Sequence, residues 1–359
     1  MSEASADRLR TRIGRLDLPN PIICGSGEHV LTARGIRAAL AAGCAVVIAK
    51  SLNESPDAAR QLDHADYALI DGDGRAFSPR PSGEDGNIRA LSMFCRSGLA
   101  RVDRDAWLAT IGELDREAAQ SGRYVAASVV LANADAAAKI AAQAQSQGIR
   151  LFELNVGAPH GAEAASGAIT IETHADRLRD TVAKVRAAFQ GTLWVKLGGV
   201  GGDAGALARA SRDGGADAVT LAGRHMAFVP DVETLQPLLG TSAAYGGQWA
   251  LPIICRHLAL ARRAVGEFPL LATNGARTGL DVARFILAGA GAVQMTSAVF
   301  LQGYGALSAA RDELEAWLVR KDLHVQDVVG RAADALTGYF DQPARPGRWR
   351  DFVPTEGLE

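Results

Sequence analysis

The sequence has no excess of charge of either sign: 38 basic and 40 acidic residues leave a formal net charge of -2. That balance argues against nucleic acid or an acidic membrane surface as the main partner. Cysteine is scarce, and the four present, Cys24, Cys44, Cys95 and Cys255, form no CxxC spacing. A zinc or iron–sulfur site built from this chain alone is therefore not expected, and scattered reduced thiols are. No uninterrupted apolar run reaches about 18 residues, so no membrane span is expected. Residues 1–15 are polar and lack the apolar centre of a signal peptide. The expectation is a soluble, cytoplasmic protein. No G-x-G-x-x-G follows a first strand, which weakens a Rossmann reading.

What is present is apolar content and a repeating unit. The chain is 48% hydrophobic and 22% charged, enough for a sizeable core and too little charge for disorder. A helix rich in Ala and Leu, a Gly/Ala turn and a short β-branched strand recur. Residues 38–43 lead into 45–50, 140–148 into 151–155, 207–215 into 218–221, and 283–291 into 292–296. Adding 21–24, 124–130, 193–197 and 269–273 makes eight strand candidates. Short, nearly continuous apolar strands alternating with helices predict a parallel sheet covered on both faces. Eight such units predict an α/β fold of the (β/α)8 TIM-barrel type.

Two regions depart from the repeat. Residues 52–107 are long and irregular, as expected of a lid, small subdomain or interface inserted after the second strand. Within them Asp71-Gly-Asp-Gly74 lacks the remaining ligands of a calcium loop and reads as a turn. From about residue 308 helical periodicity returns (Leu314, Trp317, Leu318), followed by a second helical stretch over 325–336. The expected organisation is a barrel over 1–310 and a helical extension over 311–359 packed on it.

Barrel chemistry gathers at the C-terminal ends of the strands. Those ends read Gly25-Ser26-Gly27, Lys50-Ser51, Asn155, Lys196, Thr273-Asn274-Gly275 and Thr296-Ser297. Two lysines closing apolar strands are the least expected members. Either both snorkel to solvent or both meet an anionic or electron-rich ligand; their matching positions favour the ligand. Tyr245-Gly246-Gly247, Thr273-Asn274-Gly275 and Thr296-Ser297 offer backbone N–H groups and hydroxyls near the last two units, where barrels often bind phosphate. A phosphate site beside a lysine-contacted ring implies a phosphorylated cofactor.

Three segments carry a family resemblance: Glu153-Leu-Asn-Val-Gly-Ala-Pro-His-Gly161, Gly215-Ala-Asp-Ala-Val-Thr-Leu221, and Gly275-Ala-Arg-Thr-Gly279 with Ile286-Leu-Ala-Gly-Ala290. Over most of its length the chain resembles the dihydroorotate dehydrogenase family, and especially the related FMN domain of dihydropyrimidine dehydrogenase. The resemblance implies an FMN-containing barrel that moves hydride equivalents between flavin and a C–C bond. It implies that Gly25, Ser26 and Gly27 lie along the isoalloxazine and that Lys50 and Ser51 meet its polar edge and the ribityl chain. Lys196 would stand near flavin N1 and O2, where its charge favours the anionic reduced flavin. Gly246, Gly247, Asn274, Gly275, Thr296 and Ser297 would hold the phosphate. A homodimer would fit the family, and a separate electron-accepting partner is open.

The substrate side departs from the family. Where the relatives carry a base Cys, this chain has Ala158. Of the asparagines that clamp a pyrimidine, Asn155 remains, while the other positions read Ala90 and Gly223, the latter followed by Arg224. His160 matches the dihydropyrimidine dehydrogenase branch and is the nearest titratable group to Ala158, so it is the candidate proton acceptor; alternatively it only hydrogen-bonds substrate or backbone. Asn155, His160 and Lys196 are the expected catalytic residues, and Asn155, His160 and Arg224 the expected substrate contacts. His225, Tyr245, Glu28 and Cys95 lie on rim segments, with an inert buried thiol the plainer reading of Cys95. His64, His174, His257 and His324 read as surface groups. The expected activity is an FMN-dependent oxidoreductase acting on a small cyclic or conjugated substrate other than dihydroorotate. The alternatives are a barrel that binds FMN or a related ligand without redox turnover, and a true dihydroorotate or dihydropyrimidine dehydrogenase.

Overall fold

A computed structural model describes residues 8–53, 60–77, 90–131, 133–157, 172–199, 202–223 and 225–357. Eight parallel strands close into a barrel: β1 Ile22–Cys24, β2 Val46–Ile48, β3 Tyr124–Val130, β4 Leu151–Asn155, β5 Thr192–Lys196, β6 Ala218–Leu221, β7 Leu270–Thr273 and β8 Ala290–Met295. Neighbours in space follow chain order, and β8 pairs with β1 to close the ring. The (β/α)8 expectation holds, and the eight segments expected as strands are the barrel strands, with ends moved by a residue or two. One shift matters: Lys50 sits just beyond β2 instead of closing it. The strands read as apolar runs because both faces are covered, outward by helices and inward by the barrel interior.

Side-chain caps start several of the outer helices. Thr32 accepts from the Gly35 N–H at Ala33–Ala41, Asn133 from Asp135 and Ala136 at Ala134–Ser146, and Asp203 from Gly205 and Ala206 at Ala204–Asp213. Thr278 does the same at Gly279–Leu287. Each cap satisfies N–H groups that the first turn leaves without a partner.

Inside the barrel, Ile23, Val46, Ile48, Ala126, Leu151, Trp194, Ala218, Leu271 and Ala292 form an apolar lower layer. An antiparallel hairpin, Thr11–Ile13 with Leu16–Leu18, plugs that end through Ile13, Leu16 and Leu18. Its three-residue strands are too short to leave a periodic signal, so the sequence did not announce it. Among the described residues no helix is long and apolar enough to cross a membrane.

The segment expected to be irregular is partly a sheet. Asp66–Ile70, Ala76–Phe77 and Ser92–Arg96 join His225–Ala227 and Ala243–Gly246 in one five-stranded antiparallel sheet. Asp71-Gly-Asp-Gly74 is the turn between its first two strands: the Asp71 carboxylate accepts the N–H groups of Asp73 and Arg75. Beyond the barrel, Gly305–Lys321 packs through Leu307, Leu314 and Leu318. The helix expected over 325–336 is broken into Val325–Val328 and Arg331–Asp334 by Gly330, whose φ of 76° is left-handed.

Asp115, on the helix Arg104–Ala119, is almost completely buried. Its carboxylate accepts from the Val125 N–H at 2.9 Å, the Arg150 N–H at 3.1 Å and the Arg150 guanidinium at 2.7 and 2.9 Å. One side chain thereby ties this helix to β3 and to the approach of β4. Asp115→Ala should lower unfolding stability by about 2–4 kcal/mol, because it leaves buried donors without acceptors. Urea unfolding followed by circular dichroism checks this, and an unchanged midpoint and slope would contradict it.

Candidate functional site

The C-terminal ends of the strands open into a cavity of about 1020 Å³, counting its mouth. Every strand end or the loop after it contributes, in the order the topology dictates, with Val130 ending β3. Ser26 and Gly27 follow β1, and Lys50 and Ser51 follow β2. Asn155 ends β4 and Lys196 ends β5, paired side by side in the strand register. Gly223 follows β6; Thr273 ends β7, with Asn274 and Gly275 after it; Thr296 and Ser297 follow β8. The antiparallel sheet forms the outer wall with Tyr67, Met93, Cys95, Tyr245 and Gly246. Met93 and Cys95 face the cavity while Phe94 between them packs with Ala68 and Ile70 on the other side.

Most residues expected to meet the cofactor are thus brought together. Gly25 and Gly247 are not in the wall. A Cβ on Gly25 would collide with the Thr296 hydroxyl, and one on Gly247 with Ser92, so these glycines allow close packing behind it. Ala158, His160 and Arg224 lie outside the described residues. Ala90 is exposed, and Gly223 presents no side chain to the cavity. His225 is buried behind the wall, with its Nδ1 3.1 Å from Asn274 Nδ2 and its ring against Trp249. Burial, with His257 adding to it, lowers the His225 pKa.

Both lysines are buried, 3% and 8% exposed, so neither snorkels to solvent. Lys50 Nζ lies 3.1 Å from Glu28 Oε1, which also accepts the Gly98 N–H at 3.0 Å. Burial pushes the Glu28 pKa up, but Lys50 and a hydrogen bond from Tyr67 outweigh it, and the net shift is down. Lys196 Nζ donates to Gln294 Oε1 at 2.7 Å. Asn155 Oδ1 accepts the Gly157 N–H at 3.0 Å, and its NH2 can donate to a ligand. Asn274 and Gly275 both hold left-handed backbone, with φ of 68° and 110°. Asn tolerates that region and Gly favours it, and the turn carries both residues into the wall.

Several wall and support residues were missed by sequence reasoning. Tyr67 and Met93 belong to the segment expected to be irregular, and Phe300 to a short helix that the repeat did not mark. Cys95, expected to be inert and buried, is half-buried in the wall. Ser128, Glu153 and Gln294 each interrupt an apolar strand once. The available signal was the spacing of Glu153 and Asn155, two apart and so on the same strand face.

His29 is a further unforeseen group. Its Nε2 lies 3.4 Å from Cys24 Sγ, and its ring packs edge-on against Phe300. Burial lowers its pKa to about 4; Glu28 pulls it up and Lys50 pushes it further down. Between about 4 and the ordinary value near 6.5, the unfolded chain binds a proton that the folded chain does not. His29 therefore costs stability as pH falls through that window. Unfolding free energy should drop by about 3 kcal/mol more in the parent than in His29→Gln between pH 7 and 4. Parallel pH curves would contradict this.

No family model matches the chain. Individual relatives do. It is 26% identical over 329 residues, 90% of this chain and 98% of the relative, to the dihydroorotate dehydrogenase B (NAD(+)) catalytic subunit of Methanocella arvoryzae. With the protein of the same description from Methanocaldococcus jannaschii it shares 23% over 326 residues, again 90% and 98%. A 31% match to dihydroorotate dehydrogenase A (fumarate) of Lactobacillus delbrueckii subsp. bulgaricus covers 185 residues, 51% of this chain and 59% of that relative.

Proposed function

We propose that this chain, a divergent relative of the dihydroorotate dehydrogenases, is an FMN-dependent oxidoreductase. Its substrate would be a small cyclic or conjugated molecule other than dihydroorotate. The observation that supports this best is the cavity that gathers the polar side chains of Ser26, Lys50, Ser51, Asn155, Lys196, Asn274, Thr296 and Ser297 at the barrel mouth.

The donor set fits FMN. After β8 the cavity wall is formed by Thr296 and Ser297, whose hydroxyls can hold a phosphate. Asn274 and Gly275 belong to the same wall. Met93, Leu99, Val130 and Phe300 line the same cavity with apolar surface for a ring. When bound, FMN would supply a two-electron carrier for hydride exchange with a C–C bond. Lys196 would supply fixed positive charge where negative charge accumulates on reduction. Asn155 would donate to a substrate carbonyl. His160, two residues beyond Ala158 in the sequence, would take the substrate proton, since alanine offers no group for it. Gly223 and Ala90 remove amide contacts that would select a pyrimidine, which lowers selectivity for one by orders of magnitude. A homodimer, a cytoplasmic location and a separate electron acceptor belong to the same reading, with 1–310 as the flavin-binding unit and 311–359 as its extension.

Anaerobic stopped-flow with the FMN-loaded protein tests the reading. Dihydroorotate should leave the flavin oxidised, and a screen of cyclic and conjugated reductants should find one that bleaches it. Lys196→Met should slow that bleaching by about 10²–10³. Rapid bleaching by dihydroorotate would make the chain an ordinary dihydroorotate dehydrogenase. A bound flavin that no substrate or acceptor turns over would make it a binding protein.

A further inference from the structure

One buried carboxylate beneath the cavity has no role in the chemistry above. Glu153, on β4, is fully buried. Its Oε2 accepts from Gln294 Nε2 at 2.7 Å, across the barrel on β8, and its Oε1 accepts from Ser128 Oγ at 3.1 Å on neighbouring β3. From each partner a hydrogen-bonded path rises to the cavity wall. On one side Ser128 Oγ lies 2.9 Å from Ser51 Oγ, which lies 3.1 Å from Ser26 Oγ. On the other Gln294 Oε1 lies 2.7 Å from Lys196 Nζ.

A carboxylate accepts and does not donate, and this fixes every direction above it. Ser128 must give its proton to Glu153, so it accepts from Ser51, and Ser51 in turn accepts from Ser26. Gln294 must turn its amide NH2 to Glu153, which leaves its oxygen facing Lys196. Ser26 has then spent its hydrogen on Ser51, and toward a ligand it can only accept. We propose that Glu153 is the positioning residue of this site: without touching the cavity, it makes Ser26 an acceptor and holds the Lys196 ammonium in place through Gln294. The inference rests on the flavin reading, because both wall groups would face the cofactor.

Glu153→Gln tests it at nearly constant volume. A glutamine cannot accept from both partners at once. If its NH2 meets Ser128, the hydroxyl chain reverses and Ser26 becomes a donor. If it meets Gln294, that amide must flip and turn NH2 toward the Lys196 ammonium. The readouts are the FMN dissociation constant and the midpoint potential of the bound flavin, neither of which is turnover. The expected result is at least tenfold weaker binding, or a tenfold change in relative affinity for the two oxidation states, about 30 mV for a two-electron couple. Ser128→Ala and Gln294→Met each cut one path, and each should produce part of the effect, so they carry the test if Glu153→Gln does not fold. A folded Glu153→Gln with parental affinity and potential overturns the proposal, as do two silent single-path variants. If the parent protein itself binds no FMN, the proposed function fails instead.

Discussion

Closing eight strands into a barrel leaves an interior wide enough for side chains and little else. A polar group that the sequence sends inward is therefore best satisfied by another inward group, because an unpaired donor is costly there. The chain meets this constraint in layers, save at Trp194 Nε1, which is buried with no hydrogen-bond partner. Apolar residues around Trp194 fill the lower interior above a hairpin plug. Over them lies a polar layer of Ser128, Glu153, Thr220 and Gln294 in which each side chain is hydrogen-bonded to another. Only above that layer does the barrel open into a cavity, so the chemistry at the mouth stands on a base whose hydrogen-bond directions are already set.

The outer wall obeys a different logic. Two chain excursions, one after β2 and one after β6, contribute three and two strands that already pair within each excursion. They pair into one antiparallel sheet over the mouth. Glu28 joins this sheet to the barrel, binding Lys50 from the β2 loop and the N–H of Gly98 just past the strand Ser92–Arg96. Removing either member of the Glu28–Lys50 pair would leave a buried charge without its partner, a loss several times that of a surface pair. Wall and barrel are thus coupled at the point where a ligand would bind.

The barrel was legible in the sequence because its strands, covered on both faces, read as short apolar runs alternating with Ala- and Leu-rich helices, and that pattern is local. The mouth sheet was not, because Ser92–Arg96 pairs on one side with Asp66–Ile70 and on the other with Ala243–Gly246, the latter far along the chain, and no segment is long enough to show a period alone. Lys50 and Lys196 stood out because lysine is a rare end to an apolar strand. Ser128, Glu153 and Gln294 did not, since one polar residue in an apolar strand has no periodicity, and the closed ring alone brings β3, β4 and β8 together. Cys95 was misjudged for the same reason: which face of its strand meets the cavity depends on that distant pairing. Ala158 and His160, expected from the sequence to stand on the substrate side, lie outside the described residues, so their reading rests on the sequence alone.

The account turns on whether this cavity holds a flavin. The most direct measurement is the absorbance of the purified protein after incubation with FMN and gel filtration. The account predicts about one flavin retained per chain, with bands shifted from those of free FMN. A folded protein that elutes colourless, with all FMN in the small-molecule fraction, would contradict it.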